Sequence, residues 1–332
     1  MKRVLAAVLA LGALAGTAVA QKPNIVIGTG STGGVFFFYG QSLADILNRA
    51  GVANAQATQT GGSYDNILLL RDRTDAGSNT FYCALTTTDA ALVTYQGTEP
   101  RFTQRKADTQ RVMFYMYPSL IHVVTTSATG INSFDDLKGK RVSTGQPGSS
   151  TENLALLLLE GAGIKPDQFS RRERLPAAES ARALSEGTID AYFWVGGVPT
   201  SSVVEVSQSL QRRGQRLVFL DVPPQGPITN FMRQKFPGVV QPTTIPAATY
   251  GTAAAVLGLN TGNVLTCPSS MPEPLAYAVT KAVFDNINTL RTAVAAARDT
   301  TPQATARIYS PRAAVPFHPG AVRYWRETGA IK

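Results

Sequence analysis

The sequence predicts an α/β protein built as two lobes with a cleft between them. Three observations predict it. Short apolar runs alternate with helical patterns along the whole chain, which is the signature of α/β architecture. The alternation restarts after one long extended run, Val112 to Val124. Residues 21–332 are also too many for a single hydrophobic core, and two bodies are the natural expectation.

The first lobe takes residues 21–120 in this reading. Ile25-Val26-Ile27 is a strand, and Gly28 to Gly34 turns it into a helix from about Val35 to Ala50. Asn54 to Thr60 is a second strand, Gly61-Gly62 a turn, and Ser63 to Leu70 a helix. Phe81 to Leu85 is a third strand, followed by a helix from about Asp89. The run from Val112 to Val124 is long enough to cross from one lobe to the next.

The second lobe takes residues 121–247. Ser133 to Leu137 is a short helix, Arg141-Val142-Ser143 a strand, and Glu152 to Gly161 a helix stopped by Gly161-Ala162-Gly163. Pro176 to Glu186 is helical, Ile189 to Val195 a buried strand, Thr200 to Arg213 a helix, and Arg216 to Val222 a strand. Pro223, Pro224, Pro227, Pro237, Pro242 and Pro246 reduce the stretch after Val222 to loops and short helices. Residues 248–332 then return to the first lobe, with strand character over Ala253 to Leu265 and the longest helical pattern over Pro272 to Arg298. Prolines 272 and 274 stand at its start, where proline is tolerated.

The N-terminus reads as an export signal over residues 1–20. Lys2 and Arg3 precede an apolar run from Val4 to Leu14, and Ala18-Val19-Ala20 offers the small-x-small pattern of a cleavage site. The apolar run falls short of the roughly 20 residues that span a bilayer. Lys2 and Arg3 supply two of the nine net positive charges, so the exported chain carries +7. Its basic residues are scattered rather than gathered into a stripe with aromatics, which argues against a nucleic-acid partner. A diffuse positive field suits small acidic ligands. An oxidising compartment permits a bridge between Cys83 and Cys267, but each falls in an apolar strand-like run, and two buried thiols packed as small hydrophobes are the favoured reading.

Gly28-Thr29-Gly30-Ser31-Thr32-Gly33 satisfies a dinucleotide-loop pattern after a strand and before a helix. That fingerprint also needs an acidic residue about 20 positions on. No Asp or Glu lies between Asp45 and Asp65, so a nucleotide cofactor is not expected. The loop remains an anion cradle, because glycines allow close approach and the amides of a helix's first turn point outward. Thr60-Gly61-Gly62-Ser63, Thr86-Thr87-Thr88-Asp89 and Gly145 to Thr151 are three more such loops at strand ends, where ligands of open α/β sheets sit. Trp194, at the end of its strand, is a further cleft candidate.

Catalytic constellations are not evident. The two histidines, His122 and His318, lie far apart; the first reads as a core residue and the second as the cap of the last helix. No metal-ligand spacing occurs. An exported enzyme on this scaffold would need a general base, for which only Asp65, Asp89 or Glu152 lie near enough, and a ligand sensor is a third possibility.

Five segments carry a family resemblance. Ile27-Gly28-Thr29-Gly30-Ser31-Thr32-Gly33-Gly34-Val35, Thr60-Gly61-Gly62-Ser63, Asp135-Asp136-Leu137-Lys138-Gly139-Lys140-Arg141-Val142, Gly148-Ser149-Ser150-Thr151 and Pro316-Phe317-His318-Pro319-Gly320-Ala321 occur in the order seen in TAXI-type receptors of TRAP transporters. The chain resembles that family over nearly its whole exported length. The resemblance implies a two-lobed, type II-like periplasmic-binding-protein fold, and a receptor that hands glutamate, glutamine or a dicarboxylate to a membrane permease; a monomer is expected. It places binding roles on Gly30, Ser31, Thr32, Gly33, Gly34 and Val35, on Thr60, Gly61, Gly62 and Ser63, on Thr87, Thr88 and Asp89, and on Gly148, Ser149, Ser150 and Thr151; Thr29 joins them as a hydroxyl donor of the first loop. The sequence departs from relatives at Thr87-Thr88-Asp89, where Gln-Ser-Asp is frequent, and at Phe36-Phe37-Phe38, where tyrosines are frequent.

Overall fold

A computed structural model describes residues 21–74 and 77–332. The expected export signal, residues 1–20, lies outside the described residues. Among the described residues no helix is long and apolar enough to cross a membrane.

The first α/β series runs β1 (Asn24–Gly28), α1 (Val35–Arg49), β2 (Asn54–Thr58), α2 (Ser63–Arg73), β3 (Thr80–Thr87) and α3 (Thr88–Gln96). The long strand β4 (Gln110–Thr126) leads into β5 (Arg141–Ser143), α4 (Ser150–Gly161), β6 (Arg171–Glu173), α5 (Ala177–Glu186), β7 (Ala191–Gly196), α6 (Ser201–Gln211) and β8 (Leu217–Phe219). Then come α7 (Pro227–Lys235), β9 (Gln241–Ile245) and the second long strand β10 (Val256–Pro268). Helices α8 (Glu273–Asp285), α9 (Ile287–Ala293), α10 (Pro302–Ile308) and α11 (Pro319–Glu327) complete the chain.

The strands pair in the order β2-β1-β3-β10-β4-β7-β5-β6, with β8 added to β4 and β9 to β10. Pairs β1–β2, β1–β3, β5–β6 and β5–β7 are parallel, as strand–helix–strand units require, while β4 and β10 run antiparallel to their neighbours. These two strands thread both lobes. The C-terminal part of β10 pairs with β3, and its N-terminal part pairs with β9. The far half of β4, Leu120 to Thr125, pairs with β7. Where they pass between lobes, Pro118 of β4 stands opposite Gly262 of β10, and the register shifts between Gly262 and Val264. Proline cannot donate to the ladder and glycine carries no side chain to pack, so the ladder is weakest at this crossing.

Separate cores confirm the two bodies. In the first, Ile25 and Ile27 of β1, Leu43 of α1, Phe114 and Met116 of β4, Val283 of α8 and Trp325 of α11 share one cluster, and Tyr64, Ile67 and Phe102 fill the opposite face. In the second, Ile121 and Val123 of β4 pack on Leu154 and Leu158 of α4, while Leu120 and Val124 pack on Val203 and Val206 of α6. The alternation along β4 is the two-residue period of a strand buried on both faces. Each such side chain is worth roughly 1.5–3 kcal/mol when fully buried.

Several expectations need correction. Cys83 and Cys267 form a disulfide and are not free thiols. The reason is non-local: β10 inserts antiparallel beside β3 with Thr266 opposite Ala84, so the next pair along is Cys267 and Cys83, with their Cα atoms 4.3 Å apart. The return to the first lobe lies at Gly262 and not at residue 248, since Tyr250 and Val256 pack in the second lobe's core. The proline-rich stretch contains strand β9, which tolerates Pro242 because it is an edge strand. The helical pattern over 272–298 breaks at Asn286, whose side-chain amide donates to the Ala282 carbonyl at 2.8 Å. Strand β6, with the sequence Arg-Arg-Glu, has no apolar signature and sits at the sheet's other edge.

Candidate functional site

Parallel strands β1, β2 and β3 of one lobe and β5 and β7 of the other send their C-terminal ends to one cleft, and helices begin there. The first turns of α1, α2, α4 and α5 contribute Val35, Ser63, Ser150 and Ala177 to its wall. Helices α1, α2 and α5 have Gly34, Gly62 and Pro176 at their N-caps, none of which offers a side-chain cap. The first-turn amides of α1 and α5 therefore face outward with the positive end of each helix dipole behind them, whereas two of those of α2 meet a carbonyl of the other lobe. Ser149 does cap α4, accepting from the Glu152 amide at 3.1 Å while donating to the Gln146 carbonyl at 2.6 Å.

One buried residue arranges the first-lobe loops. Asn66 of α2 donates to the Thr29 carbonyl at 2.6 Å and to the Leu85 carbonyl at 2.7 Å, and accepts from Thr60 Oγ1 at 2.6 Å. It thereby ties together segments at the ends of β1, β2 and β3. A Cβ on Gly28 would meet its carboxamide oxygen at 2.5 Å, which explains the glycine at that strand end. Nothing local in the sequence marks Asn66, because its role depends on three segments distant in the chain.

The lobes touch across the cleft. The Gly148 carbonyl accepts from the Tyr64 and Asp65 amides at 3.1 and 3.3 Å, so a second-lobe loop closes the first turn of α2. Gly148 has φ +80°, and a Cβ there would run into the Asp65 carboxylate. Gln146 Nε2 donates to the Gly61 carbonyl at 2.6 Å. Ser150 Oγ donates to Ser63 Oγ at 2.8 Å and lies 2.6 Å from Thr87 Oγ1, while Ser63 Oγ also accepts the Thr87 amide. With the Ser150 proton committed to Ser63, Thr87 is the donor to Ser150, and the chain of hydroxyls ends on the Ser63 proton.

Of the residues expected at the site, Gly30, Ser31, Gly34, Val35, Gly61, Gly62, Ser63, Thr87, Ser149, Ser150, Thr151 and Trp194 line this cleft. The others stand off it. Thr29 is buried with its hydroxyl on the Thr58 carbonyl. Thr32 is exposed, and the Gly33 carbonyl accepts from Ser201 Oγ across the lobes. Thr60 serves Asn66, and Gly148 presents its carbonyl to α2. Thr88 Oγ1 accepts the Gly262 amide at 3.1 Å. Asp89 is fully buried, with one oxygen on Thr261 Oγ1 at 2.9 Å and the other without a partner. Thr88 and Asp89 miss the cleft because β3 continues through Thr87 and α3 starts at once, leaving no turn at the sheet edge.

The structure adds residues that the loops alone did not suggest. Phe36, Tyr117, Leu175 and Phe193 form apolar wall and Ser180 adds a polar group, while Gln146 reaches it from within the expected Gly145 to Thr151 loop. Trp194 packs against Gly34 and donates its indole N–H to Thr200 Oγ1 at 2.9 Å. The space enclosed, open mouth included, is about 580 Å³. That suits a small molecule.

No Asp, Glu, Lys, Arg or His is among the residues lining the cleft. The three carboxylates closest in sequence to its loops are engaged elsewhere. Asp65 accepts the Gly61 amide at 3.1 Å, Glu152 is held by Arg172 and Arg174, and Asp89 sits beneath the crossing strands. Burial pushes the Asp89 carboxyl up to about 6 despite the hydrogen bond from Thr261. His122 is a core residue as expected. Its Nδ1 lies 3.3 Å from the Trp194 carbonyl, its Nε2 has no partner, and burial lowers its pKa to about 4. His318 caps α11 as expected, accepting from the Gly320 amide at 3.2 Å. Among the described residues no cluster of three or more His, Cys, Asp or Glu could hold a metal ion.

Solved structures share this fold. The periplasmic binding protein BugD matches with a TM-score of 0.55 at 12% identity, covering 94% of this chain and 99% of that one. MatC of Rhodopseudomonas palustris, solved with bound malate, matches at 0.54 and 13% identity, covering 95% of this chain and 100% of that one. A Bordetella bronchiseptica protein matches at 0.54 and 14%, covering 93% of this chain and 98% of that one. In sequence, the NMT1-like family profile matches residues 27–329. With two lobes, helix starts gathered at one cleft and a family match over nearly its full length, the chain belongs to the NMT1-like family.

Proposed function

We propose that this chain is a periplasmic solute receptor of the TAXI type, which captures a small carboxylate of the glutamate, glutamine or dicarboxylate class and delivers it to a TRAP-type membrane permease. The observation that carries this reading is the meeting of four helix starts from two lobes at one cleft with no charged lining. Such an arrangement binds an anion through amides and hydroxyls, without a fixed cation. The fold it shares with malate-bound MatC agrees with a small organic acid.

In this mechanism the ligand's carboxylate meets the Ser31 and Val35 amides, and the second lobe rotates about the Pro118–Gly262 crossing. The Gly148 to Thr151 loop then meets the distal end. Contacts that exist only when the lobes meet, such as Ser150 with Ser63, are what a ligand can stabilise selectively. Residues 1–20 are the export signal of this receptor and are absent from its working form.

Isothermal calorimetry on the exported chain, with a panel of amino acids, oxo acids and dicarboxylates, tests the reading. At least one member should bind with a Kd at or below about 100 μM, roughly −5.5 kcal/mol. A panel with no such ligand overturns it.

A further inference from the structure

The cleft offers a ligand the first amides of α1 and α5 and the Ser63 hydroxyl proton, and no carboxylate. Four of its loop carbonyls already accept hydrogen bonds from the protein: Ser31 from the Gly34 amide at 3.2 Å, Gly61 from Gln146 at 2.6 Å, Gln146 from Ser149 at 2.6 Å, and Pro176 from the Ser180 amide at 2.8 Å. The hydroxyl chain across the lobes leaves a proton on Ser63, not a lone pair seeking one. Ser180 Oγ is likewise occupied, lying 2.9 Å from Ser143 Oγ and 3.2 Å from the Leu175 carbonyl.

An α-amino acid brings an ammonium group together with its carboxylate. In this cleft the ammonium would be desolvated against helix starts whose dipoles repel it, with no carboxylate on the lining to pair with it. Burying a charge without a partner is strongly unfavourable. The corresponding 2-oxo acid keeps the carbon skeleton and the carboxylate, and replaces the ammonium by a carbonyl that accepts from the same amides and hydroxyls. Phe36, Tyr117, Leu175 and Trp194 offer the carbon chain an apolar wall.

We infer that the cleft selects organic acids whose polar groups are all acceptors, and rejects the matching α-amino acids. This rests on the receptor reading above and narrows its ligand class to members without an ammonium group.

Matched pairs test it by calorimetry on the exported chain: 2-oxoglutarate with glutamate, 4-methyl-2-oxopentanoate with leucine, and phenylpyruvate with phenylalanine. The oxo acid of any pair that binds should be at least tenfold tighter, about 1.4 kcal/mol. An amino acid that binds as tightly as its oxo partner overturns the inference and leaves the receptor reading standing. Silence from every pair and from the wider panel overturns the receptor reading, and the inference with it. Two variants, Leu175→Asp and Ala177→Asp, each add a carboxylate to the lining. In whichever keeps the wild-type circular dichroism, the oxo-to-amino affinity ratio should fall at least tenfold, and an unchanged ratio counts against the inference.

Discussion

The hydroxyl of Ser150 donates to the hydroxyl of Ser63 at 2.8 Å, joining the first turn of α4 in one lobe to the first turn of α2 in the other. Ser150→Ala removes this bond and the one from Thr87. At about 0.5–1.5 kcal/mol per bond, affinity for a ligand found in the calorimetric panel should fall about tenfold. The melting temperature should change little, because these bonds join lobes and hold neither core together. Unchanged affinity would remove the bridge from the closing mechanism.

Gly148→Ala should act more strongly on the same movement. Its φ of +80° disfavours any side chain, and the added methyl would meet the Asp65 carboxylate. The expected result is a loss of more than tenfold in affinity, with a more open particle by small-angle X-ray scattering in the presence of ligand.

The fold is largely legible in the sequence because its strands are apolar runs ending in Gly, Ser or Thr, and the cleft loops are legible for the same reason. The features that escape depend on partners remote in sequence. The strand β6, Arg171-Arg172-Glu173, carries no apolar signal, so nothing announces the cleft wall after it, Leu175 to Ala177. Asp89 is expected at a turn that does not exist, since two further residues of β3 carry the chain past the sheet edge. Asn66 looks like an ordinary helix residue until three segments converge on it. The cysteine pairing requires knowing that β10 lies beside β3.

Replacing both cysteines, Cys83→Ala with Cys267→Ala, should lower unfolding stability by about 2–4 kcal/mol. The bridge spans a sequence separation of 184 residues within the first lobe, so ligand affinity should stay within about twofold. Denaturant unfolding with and without a reducing agent checks the first expectation and calorimetry the second.

Asp89→Asn should reveal how burial at the crossing strands affects stability. The folded carboxyl titrates at about 6 against an ordinary 3.8, so its penalty is absent below about pH 4, grows as pH rises, and is complete above pH 6. The variant should be more stable than wild type at pH 7.5 by up to about 3 kcal/mol and equal to it near pH 4. His122 and His318, lowered to about 4 from 6.5 by burial, act in the opposite sense and lose stability as pH falls through that window. Without Asp89 to offset them, the variant should lose stability more steeply on acidification, as urea midpoints at pH 4.5 and 7.5 would report.

The two tryptophans provide a direct readout of closure. Trp194 forms cleft wall, whereas Trp325 is buried in the first lobe with its indole N–H on the Met113 carbonyl at 3.0 Å. A ligand-induced change in intrinsic fluorescence should survive Trp325→Phe and vanish in Trp194→Phe. Persistence of the signal in the second variant would place the fluorescence change elsewhere.

The strand order also governs how the protein must assemble as it is made. β3 acquires its neighbour β10 only after the entire second lobe has been synthesised, so its hydrogen-bonding edge stands open through most of the chain's emergence. The second lobe's β4–β7 pairing is complete long before then. Growth from the N-terminus therefore finishes the middle of the molecule first, and the lobe that begins the chain waits for its final segment, β10 and the helices after it.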